Sequence, residues 1–300
     1  MERAMTIEQT NRALKKKRIK EKTLKILANV FIYFVLLLMY APIVYITIFS
    51  FTPHKVTGVW NGFSFANYAN LFREGNVKSE KIWEAAKNTG LVALTAASIS
   101  TVLGTLGAIG IYYTRKKWIK NAMDFVTQIP VVNAEIVTAV SLCILFVILS
   151  AVLPRSFITL VIGHVVLSIP YVVMSVEPKL EQMDPSLYEA AMDLGATQTQ
   201  ALRKVIIPDI VPGILSGFML SITLSLDDYV ITAFTKPTEG QFETISTYVD
   251  AVMKRDGIPQ QFRAFTALLF AVILIVVVVM NVKSNHNARL LKKKEKNKND

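Results

Sequence analysis

The stretch EAAMDLGATQTQALRKVIIP, residues 189–208, is polar and helix-forming, yet it lies between two hydrophobic runs of membrane-spanning length. The pair Asp184-Pro185 just before it suits the start of a short helix, and Gly195 suits a helix end that also acts as a hinge. Residues 198–204 predict a second short helix, which Pro208 stops. Two short helices at an angle form a compact polar knob, which indicates a docking surface for a partner protein.

The remainder of the sequence is typical of an all-α membrane protein. Hydrophobic residues make up 52% of the 300 residues and the mean hydropathy is +0.42, which excludes an ordinary soluble domain. Six nearly uncharged runs are long enough to cross a hydrocarbon core of about 30 Å as helices, which satisfy their own backbone hydrogen bonds in lipid. These runs are 26–50, 88–114, 125–153, 156–176, 210–235 and 264–282.

The six runs also predict the organisation of the chain. We expect a basic cytosolic arm over residues 1–25 and a six-helix membrane domain over 26–283. Within that domain, residues 184–208 form the cytosolic loop that carries the polar knob. Residues 284–300 are polar and rich in Lys and Asn, so we expect a cytosolic tail there.

The distribution of basic residues predicts the orientation of the chain. If the N-terminus is cytosolic, 23 of the 33 Lys and Arg residues fall on the cytosolic side, which fits the positive-inside rule and makes both termini cytosolic. The basic runs 15–18 and 292–294 flank membrane helices, so we interpret them as topology signals and membrane lipid contacts rather than as nucleic-acid patches. No nucleic-acid partner is expected.

The second hydrophobic run contains small residues at every fourth position. These residues are Ala96, Ser100, Gly104 and Ala108. Because residues four apart share one face of a helix, the pattern predicts a face along which another helix approaches closely. We interpret it as packing rather than as a binding site.

Several classes of chemistry find no support in the sequence. The single cysteine, Cys143, lies within the third run, so the chain cannot form an internal disulfide or a cysteine metal cluster. The histidines His54, His164 and His286 are isolated from one another. The sequence has no nucleotide-binding P-loop and no nucleophilic triad. We therefore expect no catalytic residue, no metal site and no cofactor in this chain, which is not an enzyme by itself.

Three carboxylates lie within the hydrophobic runs, where a charge is costly unless it faces a watery interior. Glu135 lies in the third run and Asp227 and Asp228 lie in the fifth, whereas the cores of the six runs contain no Lys or Arg. An acidic interior without its own cation predicts a cationic ligand. If both helices are continuous, Glu135 lies about 15 Å and the Asp pair about 22 Å from the cytosolic side.

Carboxylates at successive depths would hand an elongated polycation along the path. Tyr229 would add an aromatic face for its ammonium groups. The alternative is that Asp227 or Asp228 caps an outer helix end or pairs with a partner subunit. Adjacent helical positions point about 100° apart, so we expect only one of these two aspartates to face a given path.

The polar stretch 189–208 resembles the EAA loop of ABC importer permeases, in which Glu-Ala-Ala is followed by three residues, Gly, nine residues and an apolar pair ending in Pro. The matching positions are Glu189, Ala190, Ala191, Gly195 and Pro208. The resemblance implies a type I, MetI-like permease fold with six transmembrane helices. It also implies that this loop seats in a cleft of the ATP-binding subunit and couples ATP hydrolysis to transport.

Three further stretches resemble spermidine/putrescine importer permeases, and this resemblance covers nearly the whole membrane part. They are SLDDYVIT at 225–232, EIVT at 135–138 and DPSL at 184–187. One departure is Ala134, where relatives commonly place Pro. The resemblance implies a multi-pass permease subunit in the bacterial cell membrane that forms a polyamine path. It implies four partners as well: a second homologous permease, two ATP-binding subunits and an extracytoplasmic polyamine-binding protein.

Other transport functions remain open at this level. Permeases for ferric ion, phosphate or sugars share the EAA loop, and only the acidic membrane residues and the second resemblance favour polyamines. A stand-alone secondary transporter would use Glu135, Asp227 and Asp228 to bind its driving ion, but it would commonly contain internal repeats, which the sequence lacks. A channel would need a filter-like glycine loop, which is also missing.

Overall fold

The computed structural model describes residues 2–54, 56, 58–184, 186–237, 242–255, 258–275 and 278–279. Every regular element in these ranges is a helix. The helices are α1 Glu2–Phe49, α2 Ala66–Leu71, α3 Val77–Tyr113, α4 Lys117–Val132, α5 Glu135–Ile148, α6 Phe157–Gln182, α7 Ser186–Asp193, α8 Gln198–Ala201, α9 Ile207–Asp227, α10 Val230–Thr235, α11 Ile245–Met253 and α12 Gln260–Ile275. The all-α class expected from composition is confirmed.

Four helices of the described chain are long and apolar enough to span a membrane. They are Lys22–Phe49, Val77–Tyr113, Phe157–Gln182 and the continuous stretch Gln198–Asp227. Helices α4 and α5 make a fifth span if they are counted as one broken element, and α12 is a shorter apolar helix. The protein is thus a multi-pass membrane protein with four to five such spans, and part of the expected run 264–282 lies outside the described residues.

The third hydrophobic run differs from the single helix expected over 125–153. Helices α4 and α5 meet at an angle of 103°, because Asn133 and Ala134 adopt extended backbone conformations between them. Pro130 lies inside the last turn of α4, where it lacks the N–H that would continue the ladder, so the helix is weakened just before the break. Glu135 therefore begins α5 instead of lying ten residues along an unbroken helix.

The fifth run also differs from expectation, at both of its ends. Pro208 does not stop a helix: α8 continues through a π-helical turn, Leu202–Ile206, into α9, which accommodates Pro208 in its first turn. At the other end, α9 stops at Asp227, and Asp228 is extended before α10 begins. The expected helix over 210–235 is thus two helices with a corner between them.

The chain divides into two compact units. In the unit Glu80–Gly257, α6 is the central element, and its buried residues Val172, Val173 and Val176 pack with Ile210 of α9 in one hydrophobic cluster. A Cβ on Gly217 of α9 would lie only 3.1 Å from the Val172 Cα, so glycine permits the close approach of α9 to α6. This packing holds α9, which ends at the corner at Asp228, against α6.

The other unit consists of Met1–Ser79 and Ile258–Asp300. Arg263 of α12 is buried and donates hydrogen bonds to two carbonyl oxygens, those of Phe49, the last residue of α1, and of His54, in the segment after it. A cation is favourable at that end of a helix, so Arg263 both satisfies carbonyl groups and interacts with the helix dipole. Asn67 likewise donates to the carbonyl oxygens of Ser50 and Thr52.

Candidate functional site

All three carboxylates of the membrane runs line one cavity of about 180 Å³ in the unit Glu80–Gly257. Glu135 at the start of α5 and Asp228 at the corner between α9 and α10 border it from different helices. The expectation of two continuous helices, on which the separate depths of the carboxylates depended, is wrong, because both helices are broken. The remaining lining residues are Pro130, Val131, Asn133, Leu167, Tyr171 and Leu224.

Asp228 is the most constrained of the three carboxylates. Its side chain caps α10: Oδ1 accepts the Ile231 N–H at 3.0 Å, and Oδ2 accepts the Thr232 N–H and hydroxyl at 2.8 Å each. The residue is 5% exposed. Asp228 therefore caps a helix, as the alternative interpretation expected, and it also lines the cavity.

Asp227 and Glu135 present their carboxylates more openly. Asp227 is exposed at the last position of α9, and Glu135 is half-buried in the first turn of α5. Both Asp227 and Asp228 line the cavity, because the backbone at Asp228 is extended and the 100° rotation between adjacent helical positions does not apply there.

The aromatic residue in the cavity differs from the expected one. The Tyr229 hydroxyl donates to Asp250 Oδ2 at 2.9 Å, and Tyr229 is not among the lining residues. Asp250 also accepts a hydrogen bond from Lys254 at 2.8 Å, and these two hydrogen bonds lower the pKa of its carboxyl group. Tyr171 of α6, which the sequence analysis did not single out, is the aromatic residue that lines the cavity.

His164 of α6 is a second residue that sequence analysis missed. It is 1% exposed, its Nδ1 lies 2.9 Å from the Ser225 Oγ, and its Nε2 lies 3.0 Å from the Thr232 Oγ1 and 3.6 Å from the Asp228 Oδ2. These partners are 61 to 68 residues away in sequence, so no local pattern reveals them. Among the residues that the structure describes, no group of three or more His, Cys, Asp or Glu side chains is arranged to hold a metal ion.

The polar knob forms a separate surface of the same unit. Glu189 and Ala190 are exposed on α7, and Ala191 is half-buried. Gly195 has a φ of +83°, and the Ala196 N–H donates to the Ala191 carbonyl at 3.1 Å, so the predicted glycine helix end is confirmed.

The beginning of α7 is capped by Asp184, whereas Pro185 lies outside the described residues. Asp184 Oδ1 accepts the Ser186 N–H at 2.9 Å, and this hydrogen bond lowers the pKa of the Asp184 carboxyl group. The predicted helix start is confirmed. Leu194 follows the other end of α7 and is 89% exposed, so one apolar residue lies on this polar surface.

Comparisons with known proteins identify the family to which the chain belongs. Residues 100–292, more than half of the chain, match the family described as "Binding-protein-dependent transport system inner membrane component". The chain belongs to this family. Its members are membrane components of transport systems, so the expectation of a transport subunit rather than an enzyme is confirmed at the level of the family.

Curated relatives extend the comparison to almost the whole permease. It is 32% identical to the spermidine/putrescine transport system permease protein PotC of Haemophilus influenzae, over 87% of this chain and 98% of that protein. It is 31% identical to the putrescine transport system permease protein PotI of Escherichia coli K12, over 79% of this chain and 83% of that protein. The expected resemblance to spermidine/putrescine permeases is confirmed.

A solved structure supports the fold of the permease. The crystal structure of a bacterial ABC transporter involved in the import of the acidic polysaccharide alginate superposes with a TM-score of 0.62. The superposition covers 88% of this chain and 97% of that one, at 15% sequence identity. At that identity the likeness concerns the arrangement of helices alone.

Proposed function

We propose that the permease forms part of the translocation path of an ATP-driven importer for polyamines, with spermidine and putrescine as the substrates. The observation that carries the proposal is the convergence of Glu135, Asp227 and Asp228 on one cavity. Its described lining contains no Lys or Arg that would neutralise them. The relatives named for spermidine and putrescine transport support the same substrate class.

Electrostatics explain why such a cavity favours an ammonium group. Carboxylates at short range destabilise one another unless a cation or a proton lies between them. Asp228 is already compensated by three hydrogen-bond donors, whereas Asp227 is exposed and Glu135 is half-buried. We therefore assign the direct contacts with a passing ammonium group to Glu135 and Asp227, and a supporting role in the wall to Asp228.

Two uncharged residues complement these carboxylates. Tyr171 offers a ring face, which attracts ammonium groups through the ring quadrupole, and Asn133 offers an amide oxygen at the break between α4 and α5. The apolar residues Leu167 and Leu224 line the same cavity and suit the methylene segments of a polyamine. Tyr171 thus takes the place that Tyr229 was expected to fill.

Coupling to ATP hydrolysis belongs to the polar knob in this proposal. Glu189, Ala190, Ala191 and Gly195 seat in a cleft of one ATP-binding subunit, and Pro208 begins the spanning helix behind them. The resemblance of this stretch to the EAA loop supports the assignment, and the exposed Leu194 lies on the same surface. A second homologous permease, a second ATP-binding subunit and an extracytoplasmic polyamine-binding protein complete the importer.

The proposed topology has six transmembrane helices and both termini in the cytosol. The membrane domain spans residues 26–283, with the basic arm 1–25 before it and the polar tail 284–300 after it. The five spans counted above support this topology if α4 and α5 form one broken span, with α12 as the beginning of the sixth.

Uptake of radiolabelled spermidine by the reconstituted complex tests the proposal. Glu135→Gln and Asp227→Asn keep the size of each side chain and remove its charge, so we expect either variant to slow uptake about tenfold or more while the complex still assembles. Leu226→Met is a matched control beside Asp227, because Leu226 is exposed and does not line the cavity. Normal uptake by both charge variants would overturn the role of these carboxylates, and uptake of a sugar or phosphate in place of spermidine would overturn the substrate class.

A further inference from the structure

We propose that His164 is a positioning residue for the carboxylate cavity, because its imidazole joins α9 to α10 across the corner at Asp228. The inference rests on the proposed function of the cavity as a polyamine path. His164 does not line the cavity itself and touches no substrate. It acts through Ser225 on one side of the corner and Thr232 on the other.

The direction of each hydrogen bond follows from counting protons. The Asp228 carboxylate only accepts, so the hydroxyl of Thr232 donates to Asp228 Oδ2 at 2.8 Å. That hydroxyl has one proton, so at its 3.0 Å contact with His164 Nε2 the Thr232 oxygen must accept. The proton of a neutral imidazole therefore lies on Nε2, and Nδ1 accepts from the Ser225 hydroxyl at 2.9 Å.

The resulting chain of hydrogen bonds, which we call the His164 relay, consists of Ser225, His164, Thr232 and Asp228. With the imidazole neutral, each of the three protons in the relay, on Ser225, His164 and Thr232, is donated once. Burying such a chain is favourable only when it is fully satisfied, because each unpaired polar group would lose its hydration without compensation. The relay therefore favours one arrangement of the corner over its alternatives.

The relay restrains the part of the backbone that carries Asp227. Ser225 precedes Asp227 by two residues at the end of α9, and Thr232 lies in α10 beyond the corner. Because one rigid ring on α6 holds both, the corner cannot open or rotate without breaking a buried hydrogen bond. Gly163, next to His164, lets α10 approach: a Cβ there would lie 2.7 Å from the Ile231 Cγ2.

A second contact also anchors α10, but it lies at the end of that helix and not at the corner at Asp228. The Arg155 guanidinium, just before α6, donates to the carbonyl of Phe234 near the end of α10. That bond holds the far end of α10, whereas the relay holds its beginning and the end of α9 together. Loss of the relay should therefore move Asp227 without detaching α10 from α6.

Single-atom variants in the assembled complex test the relay. Thr232→Val removes the central hydroxyl and keeps the shape, and Ser225→Ala removes the first donor. Thr232→Ser restores the hydroxyl and should restore function. The matched controls are Thr235→Val, whose hydroxyl bonds only within its own helix, and Ser221→Ala, whose buried hydroxyl has no hydrogen-bond partner among the described residues.

Two readouts are measured for each variant. The first is spermidine uptake: loss of one buried hydrogen bond in Ser225→Ala predicts an apparent KM raised about fivefold, and loss of two in Thr232→Val predicts at least as large a rise, with the controls and Thr232→Ser unchanged. The second needs no substrate. A cysteine at the cavity position Leu224, in a Cys143→Ser background, should react with a cationic methanethiosulfonate reagent at a rate that Thr232→Val changes severalfold and Thr235→Val does not.

The two readouts separate the failure of this inference from that of the proposed function. If the unmodified complex takes up no spermidine but the labelling rate responds to the relay variants, the substrate assignment is wrong and the positioning role stands. If the relay variants match their controls in both apparent KM and labelling rate, the positioning role is overturned. A reduced amount of complex with unchanged KM and labelling rate would also overturn it, because His164 would then be a structural residue only.

Discussion

Gly104 of α3 lies against Val172 of α6 with no room for a side chain between them, since a Cβ on Gly104 would come within 2.7 Å of the Val172 Cβ. The same atom would lie 3.2 Å from the Ile169 carbonyl oxygen. The approach is therefore limited by backbone as well as by a β-branched side chain, neither of which can move away easily. Glycine at this position determines how closely α3 packs on the central helix.

We predict that Gly104→Ala destabilises the protein by about 1–3 kcal/mol, because the added methyl group forces α3 and α6 apart. The measurement is the temperature at which the purified complex in detergent loses its native elution profile. Gly110→Ala, on the same helix, is the control: nothing lies within 4 Å of its Cβ, and alanine favours the helix, so stability should be unchanged or higher. Equal stabilities for the two variants would contradict the close packing.

Asp228→Asn should lower thermal stability by about 1 kcal/mol or more, because an amide provides one acceptor oxygen where the capping carboxylate provides two. Asp227→Asn should leave stability unchanged, since Asp227 is exposed and caps no helix. Thermal unfolding of the two purified variants, alongside unmodified protein, checks the difference. If Asp227→Asn were the more destabilising change, the division of roles between the neighbouring aspartates would be reversed.

Substitutions in the polar knob should uncouple the permease from its ATP-binding subunit. Glu189→Lys reverses a charge on the exposed face of α7. Gly195→Val forces a β-branched residue into a left-handed conformation at a cost of roughly 1–2 kcal/mol. We expect both to reduce copurification of the ATP-binding subunit and to abolish transport while membrane insertion persists.

Gly75→Val is the matched control for Gly195→Val. Gly75 has a φ of +78°, and no atom lies within 4 Å of a Cβ built on it, so the local strain is similar but falls in the other unit of the chain. It should retain the ATP-binding subunit. Full copurification and transport by Glu189→Lys and Gly195→Val would remove the coupling role from this surface.

Cysteine labelling tests the proposed topology, in which both termini are cytosolic. In a Cys143→Ser background, single cysteines at Gly75 and Lys254 should react with a membrane-impermeant maleimide in intact cells, whereas cysteines at Lys117 and Thr197 should react only after the membrane is opened. The positive-inside distribution is the physical reason. Labelling of Thr197 from outside would contradict both the orientation and the docking surface.

Sequence patterns predicted the features that depend on neighbouring residues. The glycine end of α7 follows from the need for a positive φ at Gly195, and the small-residue face of α3 follows from four-residue spacing. That face is buried as expected: Ala96, Ser100 and Ala108 are all 0% exposed. Hydropathy likewise identified the apolar segments, because spanning length and composition are local properties.

Features that depend on distant residues were not predicted. Pro130 signals a weak point in the third run, but the 103° bend is set by how α4 and α5 pack, which no local pattern contains. The corner at Asp228 lacks glycine and proline, and its only local sign is a pair of aspartates able to cap a helix. The His164 contacts arise solely from the packing of α6 against α9 and α10.

The π-helical turn at Leu202–Ile206 has a mechanical consequence. It makes Gln198–Asp227 one continuous 30-residue helical element, about 45 Å long, with the polar knob, the proposed contact with the ATP-binding subunit, at one end and Asp227 at the other. Because the helical backbone continues through this turn, a tilt imposed at Gln198 would displace the Asp227 carboxylate at the other end. The element would pivot where Gly213 and Gly217 pack against α6, and its far end would move the carboxylate that is proposed to contact the substrate cation.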